Sequence, residues 1–198
     1  MAETIAIDDP RAVPLVASVL LDGGVVVLPT DTVYGLAASP DDPEALRRLF
    51  TLKGREADVP IAVLCASAGQ ALSLAGTVNA PAALLAARHW PGPLTLVLPR
   101  GGDLEWDLGE PRTTIGVRCP DHDLVRAVTG DLGPIAVTSA NRHGEPTPTT
   151  AEAAAGSLTG PVDLVVDGGT LAGNASTVVD ATVDPVRVLR AGPIDPHG

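Results

Sequence analysis

The sequence is poor in several residue types, and each shortage narrows the possible structures or sites. Among thirteen cations there is a single lysine, Lys53. Only four residues are aromatic, so valine, leucine, isoleucine and alanine must form most of the core; the four are Tyr34, Phe50, Trp90 and Trp106. Cys65 and Cys119 are too few for a disulfide framework and lack the C-x-x-C spacing of zinc or redox sites. Core packing is the simplest role for both cysteines.

Positive charge and long apolar runs are scarce as well. The formal net charge is −11 and the isoelectric point is near 4.6, which opposes binding of nucleic acid through a broad basic surface. A few cations gathered in one cleft could still bind a small anion. No stretch reaches the ~18 consecutive apolar residues of a membrane helix, and the N-terminus has no signal-like pattern. We therefore expect a cytoplasmic protein without membrane contact.

Apolar runs and helical patterns alternate along the chain. The 198 residues fit one domain, residues 1–198, and an apolar fraction of 45% excludes a disordered chain. We predict helices over 10–21, 43–52, 67–76, 80–89, 121–129 and 151–158. We predict strands over 25–28, 61–65, 94–98, 114–118, 135–138, 164–166, 177–180 and 186–189. This alternation is typical of an α/β fold, and the three closely spaced last strands indicate a mixed sheet.

Helix ends are predicted from capping residues. Asp42 with Pro43 should begin the second helix, and Asp8 or Asp9 should cap the first. Asp121 is predicted as the N-cap of the helix over 121–129, which Gly130 should close. This leaves His122 as a surface residue at a helix start.

Polar side chains are dense in the loops at predicted strand ends. The loop PTDTVYG, residues 29–35, holds hydroxyls, a carboxylate and the only tyrosine, so a binding loop is as well supported as a turn capped by threonine and aspartate. Ligands of open α/β sheets bind at such strand ends. If the ends share one rim, four cations converge into a site for a polyanion: Lys53, Arg55, Arg118 and Arg190. Lys53 and Arg55 are also explained as cations that complement a helix dipole.

Common nucleotide and metal motifs are absent from the sequence. There is no G-x-x-x-x-G-K-[ST], no G-x-G-x-x-G after a strand, no H-E-x-x-H and no cluster of histidine and cysteine. Ser139 lacks a nucleophile elbow and an evident histidine partner. A bound nucleotide must therefore be held by loops of a less common fold.

Seven segments occur in one order along the chain: PTDTVYGL, LKGREADVPIAVL, WPGPLTLVLP, TIGVRCPDH, TSANRHGEPTPT, STVVD and LRAGPI. In this order and spacing they resemble the YrdC family of threonylcarbamoyl-AMP synthases. The resemblance covers nearly the whole chain and implies a single α/β domain, with a twisted mixed sheet and flanking helices around a deep cationic cavity. It is closest to a short form without the extra C-terminal domain of longer relatives.

The resemblance also implies a reaction. L-threonine, bicarbonate or CO2, and ATP would give threonylcarbamoyl-adenylate and pyrophosphate, with Mg2+ accompanying the ATP and no metal site of the protein's own. A separate transferase would use this intermediate for threonylcarbamoyladenosine in tRNAs that read codons starting with A. Stable binding of nucleic acid by the protein itself is not expected.

Site residues follow from the matching positions. Lys53 and Arg55 match a K-x-R pair that faces the ATP phosphates, and they are the expected catalytic residues. Contacts to L-threonine are matched by Thr32, Arg118, Val137 (through its backbone) and Ser176. Positions around the nucleotide are matched by Thr114, Ser139, Asn141, Thr147 and Arg190, together with the K-x-R pair.

Two positions depart from the family pattern. Leu64 stands where many relatives have a histidine, after Val59-Pro60-Ile61 in place of Asn-Pro-Leu, and Ala175 replaces a glutamate. Two alternatives therefore stay open. One is a paralogue that binds nucleotide with a different acceptor, and the other is an RNA-binding module, which the acidic composition opposes.

Overall fold

The computed structural model describes residues 2–54 and 59–197, which form one mixed β-sheet flanked by helices. The strands are β1 (Glu3–Ala6), β2 (Val26–Leu28), β3 (Gly35–Ala38), β4 (Ala62–Leu64), β5 (Leu94–Pro99), β6 (Thr114–Arg118), β7 (Ile135–Ser139), β8 (Leu164–Asp167), β9 (Thr177–Asp180) and β10 (Arg187–Arg190). The helices are α1 (Ala12–Leu21), α2 (Pro43–Lys53), α3 (Ala68–Ser73), α4 (Ala80–His89), α5 (Asp123–Leu132) and α6 (Ala151–Gly156). No helix in this part of the chain is long and apolar enough to cross a membrane.

The ten strands form a single sheet in the order β1-β8-β2-β3-β7-β4-β6-β5-β9-β10. The pairs β1–β8, β8–β2, β4–β6 and β5–β9 are parallel, and the remaining neighbours are antiparallel. In the centre, Leu64 lies opposite Arg118, and Gly116 lies between Ala62 and Val97. The predicted mixed α/β fold is confirmed.

Capping chemistry explains where the central helices begin and end. The side chain of Asp42 accepts from the backbone N–H groups of Glu44 and Ala45, Pro43 opens the first turn, and Gly54 ends α2 at φ 61°. Asn79 caps α4 by accepting from Ala82 N in the same way. These local signals agree with the predicted helices.

The two sides of the sheet are packed differently, because alternate residues of a strand point to opposite sides. On the side we call the closed side, α2, α3, α4 and α6 cover an apolar core that includes Val63, Leu96 and Val117. On the other side, which we call the open side, α1 and α5 pack with residues of β2, β7 and β8 in a second core. The rest of the open side, over β4, β5, β6 and β9, borders a cavity.

The two cysteines are buried and not bonded to each other. Burial and, to a smaller extent, the neighbouring Cys119 together raise the pKa of the Cys65 thiol to about 12. A thiol in this environment is inert at neutral pH. The predicted packing role is confirmed for both residues.

Several predicted boundaries are wrong. Strands β1 and β3 were not predicted, because ETIA and GLAA are only four residues each and gain order from pairing with neighbours. Helix α1 has Arg11 at its N-cap, while Asp9, two residues earlier, accepts from the N–H of Arg11. Helix α5 begins after His122, not Asp121, and continues through Gly130 to Gly133 at φ 101°.

Candidate active site

A cavity of about 290 Å³ occupies the uncovered part of the open side. Its floor is formed by β4, β5, β6, β7 and β9, and its walls include the loops that follow β2 and precede β4, β6 and β9. Seven of the eleven predicted site residues line it: Thr32, Thr114, Arg118, Val137, Ser139, Ser176 and Arg190. The structure therefore brings all four predicted threonine positions and three of the seven predicted nucleotide positions to one place.

Small residues on the open side make room for the cavity. Gly116 of β6 has Ala62 and Val97 as its cross-strand neighbours, so the centre of the floor carries little side-chain volume. Gly35 has no space to spare, because a Cβ there would lie 2.7 Å from Cγ1 of Val137. Glycine and alanine at alternate strand positions therefore leave the open side of the sheet concave.

Arg118 is the more deeply held of two arginines in the cavity, with 5% of the residue exposed. Its Nε donates to Gly92 O at 3.0 Å, and Nη1 donates to Thr32 Oγ1 at 2.9 Å. Its Nη2 donates to Oδ1 of Asp31 in a buried ion pair. Burial lowers the pKa of the guanidinium, whereas the Asp31 charge raises it and so favours the charged form.

Arg190, at the end of β10, reaches the other side of the cavity. Its Nε donates to Ser176 O at 3.0 Å and its Nη2 to Ser176 Oγ at 3.0 Å. Ser176 Oγ also shares a hydrogen bond of 2.9 Å with Thr95 Oγ1. Burial lowers the pKa of Arg190, and the like charge of Arg118 lowers it further. The two guanidinium groups are therefore within electrostatic reach of each other.

Both charged side chains in the described cavity lining are arginines, although the protein is acidic overall. Among the described residues that line the cavity, there are two arginines, Arg118 and Arg190, and no aspartate or glutamate. The remaining polar lining consists of threonine and serine hydroxyls and backbone groups. An anion that spans the cavity would relieve the repulsion between the two guanidinium groups.

Lys53, the last residue of α2, supports the wall of the cavity from behind. It is 3% exposed, and its Nζ donates to Ser139 O at 2.6 Å, Ser139 Oγ at 3.1 Å, Asn141 O at 3.0 Å and Asn141 Oδ1 at 3.2 Å. The amide of Asn141 in turn donates to Arg142 O and Glu145 O at 2.9 and 2.8 Å. The ammonium thus fixes the loop after β7 and is not part of the cavity lining in this conformation.

Of the other three predicted residues, two lie outside the cavity lining and one is not described. Asn141 lies next to the cavity through Lys53 and Ser139 but does not line it. Thr147 is half-buried in the loop after β7, also outside the lining. Arg55 lies outside the described residues, so the structure does not place the Lys53–Arg55 pair.

Tyr34 does not contribute a ligand contact to its loop. The residue is fully buried; its hydroxyl donates to Gly169 O at 2.7 Å and accepts from Gly168 N at 3.0 Å. Burial raises its pKa. The single tyrosine therefore ties the loop to the end of β8, while Thr30 and Thr32 of the same loop face the cavity.

The two departures from the family pattern both lie in the site. Leu64 and Ala175 line the cavity, and Leu64 is 4% exposed. Together with Ile61, Val137 and Val178 they give the cavity a largely apolar surface between its polar groups. The replacements therefore bear on which ligand fits, whereas both arginines are retained.

Sequence reasoning missed two residues of the site and misjudged a third. Thr95 lies in an apolar strand, where one hydroxyl at an open-side position was the available signal. Asp31 was noted only as a carboxylate of its loop, and nothing in the sequence pairs it with Arg118. His122 was predicted on the surface, but it is half-buried at the N-cap position of α5.

An open α/β sheet with two arginines in a cavity of this kind is typical of domains that bind small anionic ligands. A family model for Sua5, YciO and YrdC, described as telomere recombination, matches residues 18–192. The chain belongs to this family, which confirms the resemblance seen in the sequence.

Solved and curated relatives agree with this assignment. A threonylcarbamoyl-AMP synthase of Pyrococcus abyssi is 40% identical over 90% of this chain and 53% of its own length. A putative threonylcarbamoyl-AMP synthase of Mycobacterium tuberculosis is 38% identical over 98% of this chain and 92% of its own. The crystal structure of P. abyssi Sua5 complexed with L-threonine superposes with a TM-score of 0.88 at 37% identity, over 97% of this chain and 57% of that one. The chain thus spans little more than half the length of its P. abyssi relative.

Proposed function

We propose that the protein is an L-threonylcarbamoyladenylate synthase. It would make threonylcarbamoyl-AMP and pyrophosphate from L-threonine, bicarbonate or CO2, and ATP. The observation that carries the proposal is the Arg118 guanidinium, which is fixed at the floor of a cavity beside the hydroxyl of Thr32. A planar fork of this kind suits the carboxylate of an amino acid. The relative crystallised with L-threonine supports the choice of amino acid.

The reaction needs positioning and charge neutralisation more than a covalent nucleophile. The threonine amine loses a proton and takes up CO2, and an oxygen of the resulting carbamate attacks the α-phosphorus of ATP while pyrophosphate leaves. A single cavity that holds both substrates would supply proximity. Arg190 is placed to meet negative charge on the nucleotide across the cavity from Arg118.

Lys53 and Arg55 are proposed to face the phosphates. In the present conformation the Lys53 ammonium is held by Ser139 and Asn141, so a phosphate oxygen has to compete with these acceptors for its N–H groups. Ser139 lines the cavity, which puts its hydroxyl between the lysine and the ligand space. Lys53 would therefore act on the nucleotide directly, or through the position of Ser139.

Mg2+ is proposed to enter as part of the ATP complex. The described residues contain no group of three or more histidine, cysteine, aspartate or glutamate side chains that could hold a metal ion. The described cavity lining also offers no carboxylate. Mg2+ usually keeps several waters and binds substrate phosphates, and a phosphate-borne ion fits this chain better than a resident one.

The product is proposed to pass to a separate tRNA threonylcarbamoyl transferase. A mixed anhydride of a carbamate and a phosphate is reactive toward water, so a nearby acceptor enzyme would limit its loss. The net charge of −11 makes stable binding of tRNA by this protein itself unfavourable.

A second candidate is a family member that adenylates a different carbamate. Leu64 and Ala175 line the cavity and present no polar side chain to the hydroxyl of threonine. An acceptor with an apolar side chain of similar size, such as L-valine, would fit such a surface. Comparison of L-threonine with L-valine and L-serine as substrates separates the two candidates.

The deciding experiment measures pyrophosphate release from ATP, bicarbonate and Mg2+ with and without L-threonine, with immediate mass spectrometry of the products. We expect threonine-dependent release and the mass of threonylcarbamoyl-adenylate. Release that depends on another amino acid would move the second candidate into first place. ATP binding without release with any amino acid would refute synthase activity.

A further inference from the structure

Asp31 has no part in the reaction proposed above, yet it forms a buried ion pair with Arg118 beside the cavity. Its side chain is 13% exposed, and Oδ1 accepts from Nη2 of Arg118. Its other oxygen, Oδ2, is buried and has no hydrogen-bond partner in the part of the chain that the structure describes. Asp31 is not among the cavity lining residues. The carboxylate therefore acts on Arg118 and cannot touch a ligand in this conformation.

A guanidinium has five N–H groups, and the neighbours of Arg118 accept three hydrogen bonds from them. Gly92 O takes the single Nε hydrogen, Thr32 takes one from Nη1, and Asp31 takes one from Nη2. Each terminal nitrogen thus keeps one further hydrogen. Two hydrogens on two adjacent nitrogens are what a carboxylate needs for a bidentate contact.

A carboxylate next to a ligand-binding arginine also has a cost, because it competes with an anionic ligand for the same positive charge. A neutral acceptor would hold Nη2 without this competition, and a buried ion pair is not in itself evidence of added stability. The benefit that remains is orientation, since a charge-assisted contact holds a guanidinium more firmly than a neutral one. We propose that Asp31 is a positioning residue that fixes Arg118 with two N–H groups directed to the carboxylate of the amino-acid substrate.

His122 forms a further layer behind this pair. It is half-buried, and its Nδ1 is buried without a hydrogen-bond partner among the described residues. Burial lowers the pKa of His122 more than the charge of Asp31 raises it; Asp121 and Asp123 also raise it, and Arg118 lowers it. A histidine that stays neutral near pH 7 does not compete with Arg118 for the negative charge of Asp31.

The test compares two substitutions of Asp31 with a matched surface control. Asp31→Asn keeps an acceptor for Nη2 and removes the charge, while Asp31→Ala removes both. Asp107→Asn changes an aspartate whose partner, Arg112, is 63% exposed. The KM values for L-threonine and for ATP are measured by pyrophosphate release, an assay that rests on the proposed function. The rotation of the Arg118 guanidinium is measured separately by ¹⁵N NMR of arginine side chains, with Arg118→Lys to assign the signal.

We expect the KM for L-threonine to rise about tenfold to a hundredfold in Asp31→Ala. In Asp31→Asn it should stay within about threefold, because the lost orientation is partly offset by the lost competition for charge. The KM for ATP and all values for Asp107→Asn should stay within about twofold. Resolved Nη–H signals of Arg118 should be present in the wild type and lost in Asp31→Ala.

Equal threonine KM values in the wild type and in folded Asp31→Ala, with unchanged Arg118 signals, would overturn the proposal. A tighter KM in Asp31→Ala would do the same and would make Asp31 only a competitor for charge. Should the wild type show no threonine-dependent release, the proposed function fails, but the NMR comparison still decides whether Asp31 fixes Arg118. If Asp31→Ala does not fold, the NMR comparison of the wild type with Asp31→Asn decides: loss of the charge-assisted contact should broaden the Nη–H signals of Arg118, and unchanged signals would overturn the proposal.

Discussion

The closed and open sides of the sheet are made from the same strands, yet one is a core and the other a site. In β6, Val117 is fully buried on the closed side, while Thr114, Gly116 and Arg118 line the cavity. In β5, Leu94, Leu96 and Leu98 are fully buried on the closed side, while Thr95 and Val97 line the cavity. Because the side-chain period of a strand is two, a segment of five residues supplies stability and binding at once.

Because alternate residues of a strand point to opposite sides, the position along the strand separates two kinds of substitution. Closed-side changes should act on the free energy of unfolding and leave the substrate KM alone. Open-side changes should act on binding and catalysis, with smaller effects on stability. Residues that join the two sides, such as Lys53, should affect both.

The largest effect is expected for Arg118 on the open side. Arg118→Lys keeps a positive charge next to Asp31 but loses the fork that a carboxylate needs. We expect kcat/KM for L-threonine to fall by about two to three orders of magnitude, with a modest change in Tm. Steady-state pyrophosphate release and differential scanning calorimetry measure the two quantities, and a fall below about fivefold would contradict the assignment of Arg118 to the substrate.

Lys53→Ala tests the connection between the two sides. We expect turnover to fall by roughly two to three orders of magnitude, because a charge next to the phosphates is lost. Stability should fall as well, since Ser139 and Asn141 lose the donor that they share. Arg47→Ala, on the same helix with a side chain 69% exposed, is the control. A fall in turnover of less than about threefold would show that Lys53 only supports the helix end and its loop.

Much of the fold could be predicted because apolar runs and caps are local signals. The six helices and eight of the ten strands were located, since runs such as Val25–Leu28 and caps such as Asp42 are visible in the sequence. Strand β3 could not be found this way, because GLAA owes its conformation to β2 and β7 on either side. The end of α5 was misplaced because Gly130 continues the helix that Leu132, packed against the second core, anchors.

The site was harder to predict because its contacts join distant segments. The order of motifs pointed to the residues that line the cavity, but their partners depend on the folded sheet. Arg118 and Asp31 are 87 residues apart, and Lys53 and Ser139 are 86 apart. No local pattern contains these pairs. The resemblance to a family named Arg118, Lys53 and Ser139 without these contacts, and it did not name Asp31.

Leu96→Ala tests whether a closed-side residue contributes to stability without affecting substrate binding. Leu96 is fully buried in the first core, and its truncation should cost about 2–5 kcal/mol of unfolding free energy. The Tm should then fall by about 5–15 °C for a chain of this length, with the KM for threonine unchanged at temperatures where the variant is folded. Val97→Ala is the matched control, since the next residue of the strand lines the cavity and is half-buried. An equal loss of Tm in both variants would contradict the difference between the two sides.

The smallest effect is expected from His122, behind the open side. Its pKa is lowered in the folded protein by burial, so the unfolded chain binds a proton more readily. The unfolded state therefore gains protons first as the pH falls, and stability is lost as the pH drops below about 6.5, the ordinary histidine value. His122→Gln removes this contribution, so the difference in Tm between pH 7.5 and pH 5.5 should be smaller in the variant than in the wild type. Thermal unfolding at about these two pH values, on either side of the ordinary histidine pKa, measures it, with the exposed His197→Gln as the control. An identical pH dependence in wild type and His122→Gln would mean that burial of this imidazole does not couple to folding.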